Sequence, residues 1–99
     1  MDKKFLNKVV DQIVNETRID YNKEKVYFPF PLENPFSSLS YYSLPLSSLS
    51  SLSNYYFSFS DHCKNVYGLN ENTSFYDEID YVWEEYIKIL KDKIESNGL

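Results

Sequence analysis

The chain has 99 residues, with 10 Lys and Arg against 15 Asp and Glu, a formal charge of -5 with the single His62 neutral, and an aromatic content of 18%. That length leaves room for a single small domain over 1–99, and so many aromatic residues exclude a generic acidic disordered tail. One cysteine, Cys63, excludes an internal disulfide and a multi-thiolate metal site, and no apolar run approaches the length of a membrane span.

Met1-Asp2-Lys3-Lys4-Phe5 lacks the apolar core of a secretory signal. The expectation is a protein that is not secreted by a signal peptide and does not associate with membranes, located in the cytoplasm or in a virion. Small size, no Ala and nine Asn fit AT-rich coding, a compositional association shared with viral and phage accessory proteins.

In chain order, Phe5, Leu6, Val9, Val10, Ile13 and Val14 form an apolar stripe at the helical period, which predicts an amphipathic helix over about 2–17 with Asp2 as its N-cap. The periodicity fails after Arg18. A β-branched and aromatic run over 26–31, interrupted by Pro29 and Pro31, predicts an extended segment or short edge strand and argues against a central strand.

Residues 34–60 carry no charge and hold eleven of the thirteen serines. Ser-Ser-Leu occurs at 37–39, 47–49 and 50–52, which reads as low complexity produced by slippage rather than as a solenoid repeat. Its leucines and aromatics would expose much apolar surface if solvated, so it must pack on the helices or on a partner. Tyr55, Phe57 and Phe59 alternate with Tyr56, Ser58 and Ser60, the period of a half-buried strand.

Ser60 or Asp61 is placed to cap a short helix over about 61–67, with Gly68 at its exit. Thr73 or Ser74 then caps a helix over about 74–96, on which Phe75, Ile79, Val82, Trp83, Tyr86, Leu90 and Ile94 form the strongest stripe in the chain. Acidic residues crowd its first half and Lys88, Lys91 and Lys93 its second, as the helix dipole prefers. The expected fold is mainly α: a small hairpin-like pair of long helices plus one short helix, around a central Ser/Tyr/Leu segment with room for one short strand or hairpin.

Catalytic vocabulary is thin. Asp61-His62-Cys63 is the one cluster of that kind, and on a helix His62 and Cys63 diverge by about 100°, too far for base and nucleophile. A calcium loop starting at Asn70 would place Phe75 where Gly is needed and Tyr81 where a bidentate Glu is needed. Two glycines cannot build a phosphate-binding loop. Asp77, Asp80 and Glu84 share one helix face, as solvated acidic faces do. The expectation is therefore no enzyme, no cofactor and no metal.

A helix-turn-helix outline around Gly68 fails because the would-be recognition helix begins with acidic residues, so no direct nucleic-acid binding is expected. Tyr-rich and Ser-rich sequence is the composition of adaptable binding surfaces. The expected function is non-enzymatic protein–protein contact, as an accessory or structural component of a larger assembly. Its candidate contact residues are Tyr41, Tyr42, Leu46, Leu49, Tyr55, Tyr56, Tyr76 and Tyr81. The partner is a protein, with a second copy of the chain as one option. The alternative is an acidic, DNA-mimic-like regulator of a nucleic-acid-binding machine.

Overall fold

A computed structural model describes residues 3–33, 40–69 and 78–96. Its elements are α1 (Lys3–Glu16), β1 (Arg18–Asp20), β2 (Lys25–Glu33), β3 (Ser40–Pro45), a 3-10 helix (Leu46–Tyr55), α2 (Tyr56–Tyr67) and α3 (Glu78–Glu95). The expected mainly α hairpin is overturned, because the helices pack with a three-stranded antiparallel sheet in the order β1-β2-β3 and the fold is α+β.

The long helices form as their stripes predict. Leu6, Val9, Val10, Ile13 and Val14 are buried on α1, and Ile79, Val82, Tyr86, Leu90 and Ile94 on α3, and these two helices pack on each other. Phe5 departs from its stripe at 40% exposure, and Trp83 is half-buried rather than buried. The proposed caps at Asp2, Thr73 and Ser74, the loop from Asn70, and Phe75 and Asp77 lie outside the described residues.

β2 is a central strand, which Pro29 and Pro31 had argued against. It alternates strictly: Val26, Phe28, Phe30 and Leu32 are buried, while Tyr27, Pro29 and Pro31 between them are half-buried. The prolines fit because β1 pairs only with Lys25 to Tyr27, and the pairing with β3 shifts register between Tyr27 and Leu32. Both therefore sit where no partner residue is in register and no ladder donor is called for.

A turn over 21–24 joins β1 to β2, tightened by the Lys23 amide donating to Asp20 Oδ1 at 3.0 Å. Glu24 closes this turn in the left-handed region at φ 54°, a conformation that costs a side-chain-bearing residue about 1–2 kcal/mol. Its carbonyl accepts from the Leu46 amide at 2.8 Å, tying the turn to the start of the 3-10 helix.

The Ser-Ser-Leu repeats at 47–49 and 50–52 form that 3-10 helix, and the one at 37–39 lies outside the described residues. With three residues per turn, side chains three apart lie above one another, so Leu46, Leu49, Leu52 and Tyr55 form a single inward row. Leu52 is buried and the other three are partly buried against the core. Ser51 Oγ donates to the Ser48 carbonyl at 2.8 Å, a backbone bond three residues back that suits the tighter coil.

The strand expected from the Tyr55, Phe57, Phe59 alternation is instead the first turn of α2, which starts at Tyr56 and not at a Ser60 or Asp61 cap. Phe59 enters the core, edge-on to Phe30 at 5.7 Å and stacked on Tyr86 at 5.3 Å. Gly68 ends α2 as expected, at φ 66°, and the Gly68 and Leu69 amides donate to the Lys64 and Cys63 carbonyls at 3.2 Å each. No helix among the described residues is long and apolar enough to cross a membrane.

Candidate protein-contact surface

The eight residues singled out from sequence do not form one patch. β3 holds Tyr41 and Tyr42 at 46% and 58% exposure, on a strand that pairs through one edge with β2. Leu46 and Leu49 line an open groove of about 510 Å³ between the 3-10 helix and the end of α3, floored by Ile94 and edged by Glu24, Lys91 and Glu95.

Tyr55, Tyr56 and Tyr81 are half-buried and engaged with neighbouring elements. Tyr55 is half-buried against the core. Tyr56 donates a short hydrogen bond to Asp80 Oδ1, and its ring meets Trp83 edge-on at 5.7 Å. Tyr81 donates to Asn7 Oδ1 at 2.6 Å, with the Lys3 ammonium 5.6 Å from its ring centre. These contacts tie α2 to α3 and α1 to α3. Tyr76 lies outside the described residues.

Two exposed apolar residues escaped the sequence reading. Phe57 is 80% exposed and Val66 58% exposed, both on α2. The signal for Phe57 is its helical spacing with Asp61, Lys64 and Asn65, which becomes legible once residues 56–67 are read as one helix.

The edges of the sheet differ in chemistry. β1 has three residues, Arg18 lies over the Tyr27 ring at 4.1 Å, and its guanidinium is 3.7 Å from the Asp20 carboxylate. β3 has six residues, no charge and the two exposed tyrosines. Charged groups on an edge strand discourage pairing with other chains, and an uncharged edge of this length does not.

A second cluster lies inside, around the middle of α2. Cys63 is buried, and burial pushes its thiol up to about 12, so it stays protonated and is no nucleophile at neutral pH. His62 packs on Phe30 at 5.3 Å and on Tyr67 at 5.8 Å, and its Nε2 is buried without a hydrogen-bond partner. Burial holds its pKa below the usual histidine value, against the opposing pull of the Glu16 carboxylate. The Tyr67 hydroxyl is buried near Glu16 without a hydrogen bond of normal geometry, and burial first, then that charge, pushes its pKa up. Among the described residues no three His, Cys, Asp or Glu side chains are grouped to hold a metal ion.

The described parts thus define a small α+β fold with one uncharged, tyrosine-bearing sheet edge. Comparison of the chain with protein-family models, with curated proteins and with solved structures gives no match.

Proposed function

We propose that the chain works by protein–protein contact, as a non-enzymatic component of a larger assembly, and that β3 with the adjoining Leu46 and Leu49 groove is the contact surface. The exposure of Tyr41 and Tyr42 on an uncharged edge strand carries this reading. An edge strand offers main-chain donors and acceptors for affinity, and its side chains select the partner. Tyrosine suits that place because it gives a large, rigid contact area and a hydroxyl for hydrogen bonding at low entropic cost.

The test is site-specific photo-crosslinking in cells, with p-benzoylphenylalanine in place of Tyr42 and, as control, in place of the exposed Asn65 on α2. A defined covalent adduct from position 42 and none from position 65 is the expected result. Equal background labelling at both positions removes the reading. Capture by a third probe in place of the exposed Glu84 on α3, and not by the one at position 42, favours the acidic-regulator alternative, whose binding would weaken steeply with salt.

A further inference from the structure

We infer that two joined grooves along α3 form a docking site for a positively charged amphipathic helix of a partner protein. This rests on the contact reading above, for its Leu46 and Leu49 groove, and names the chemistry of what docks there. A second groove of about 440 Å³ runs along α3, floored by the half-buried Trp83 and Ile87. It shares Lys91 and Glu95 with the groove over Leu46, Leu49 and Ile94, so the two meet at the last turns of α3.

The spacing of the two apolar floors selects a helix. Ile87 and Ile94 are seven residues apart on α3, which is about 10 Å along its axis. Positions i and i+7 of a second helix share a face at that same spacing. An extended strand presents its same-face residues about 7 Å or about 13 Å apart, so it would seat one anchor and miss the other. A helix laid in a groove by apolar anchors on one face is a general mode of recognition between proteins.

Charge sets the sign of that helix. Glu24, Glu84, Asp92 and Glu95 edge the joined grooves against Lys88 and Lys91, and all six are exposed. Among the described residues none of these six side chains has a hydrogen bond or an ion pair, so the acidic excess is uncompensated. The C-terminal end of the α3 dipole and the overall charge of -5 add to the same field. Glu24 stands at the rim on a left-handed backbone at φ 54°, which a glycine would adopt without steric cost, so the turn itself does not call for this side chain. Lysines or arginines flanking two apolar anchors complement this rim, whereas an acidic amphipathic helix would meet like charge along it.

Fluorescence anisotropy tests it, with the full chain and a labelled amphipathic peptide of about fourteen Leu and Lys residues at the helical period. One counterpart peptide carries Glu in place of Lys, and another has Leu and Lys in strict alternation. The expected result is a Kd of about 10–500 µM for the helical Leu/Lys peptide and at least about tenfold weaker binding of the other two. Glu84→Gln with Glu95→Gln should weaken it at least about fivefold at an unchanged melting temperature. Asp11→Asn with Asp61→Asn removes the same charge from exposed sites on α1 and α2 and should leave the affinity within about twofold. Amide NMR shifts on titration should cluster at 46–50 and 83–95.

No binding at about 1 mM chain overturns the proposal, since that is weaker than even small contacts give. Equal losses in the two double variants would also overturn it, because they would mark attraction to net charge alone. So would a Leu/Glu or an alternating peptide that binds as well, or shifts that fall outside the two grooves. If the peptide fails while a probe at position 42 captures a protein, the groove falls and the contact reading stands. If the peptide binds as expected while position 42 captures nothing, β3 falls as a contact surface and the groove stands.

Discussion

The Tyr86 hydroxyl on α3 lies 2.7 Å from Thr17 Oγ1, just past the end of α1, and Thr17 Oγ1 donates to the Ile13 carbonyl at 2.7 Å. Thr17 has one hydroxyl proton, so Tyr86 must be the donor between the two. The bond pins the end of α1 to the middle of α3, inside a site that burial makes costly for an unpaired hydroxyl. Tyr86→Phe removes a donor and leaves Thr17 with its carbonyl partner, at an expected cost of about 1 kcal/mol. Thr17→Val strands the buried Tyr86 hydroxyl and should cost about 1–3 kcal/mol. Urea unfolding of both and of the double variant checks this, since the double should cost less than the sum. Strict additivity would show that the two groups do not interact.

Phe57 and Phe59 stand two apart in the same aromatic tract and have opposite fates, at 80% and 0% exposure. A strand would put both on one face. On α2 they are about 200° apart, so only Phe59 reaches Phe30, Trp83 and Tyr86. Phe59→Ala should cost about 3–5 kcal/mol, much of the stability of a chain this small. Phe57→Ala should shift stability by no more than about 0.5 kcal/mol. Similar melting shifts for the two would contradict the helical register.

The same residues show how far sequence reaches. The α1 and α3 stripes were legible because both helices bury one wide face against each other, and burial writes the 3.6-residue period directly. β2 was legible only as an extended segment or edge strand over 26–31 and not as the central strand it is: Val26, Phe28, Phe30 and Leu32 alternate, but the outward positions are Tyr27, Pro29 and Pro31 rather than polar residues. The register shift that accommodates the prolines depends on β3, which is distant in sequence. In the Ser-Ser-Leu tract the period of three was visible, but it matches neither helix nor strand and passes for slippage until a 3-10 helix is considered. Among the tyrosines singled out as candidates, Tyr41 and Tyr42 are exposed, whereas Tyr56 and Tyr81 are half-buried with their hydroxyls on Asp80 and Asn7, partners that composition does not reveal.

Cys63 gives a chemical check on the core. With its pKa pushed up to about 12, roughly one thiol in ten thousand is ionised at pH 8, and that thiol is also sterically covered. Native protein should react with a disulfide reagent at least about a hundredfold more slowly than protein in 6 M guanidinium. The native rate should track unfolding as temperature rises. Rapid native labelling would mean that α2 is not packed as described.

His62 sets a pH dependence whose sign follows from its surroundings. Its pKa in the folded chain lies below the value of 6.5 it regains on unfolding, because burial against Phe30 and Tyr67 penalises the imidazolium more than Glu16 rewards it. Between those two pKa values the unfolded chain binds more protons than the folded one, so stability rises with pH across that window. The contribution is complete above pH 6.5 and is lost as pH falls through the folded-state value. His62→Gln keeps a polar side chain without the titration and should flatten this part of the profile. Chemical denaturation midpoints from pH 5 to 8 provide the measurement, read as the difference between wild type and variant so that carboxylate titrations cancel. A wild type whose stability rises on acidification relative to His62→Gln would mean that Glu16 outweighs burial. In that case Glu16→Gln should reverse the slope, which separates an ion pair from a change in packing.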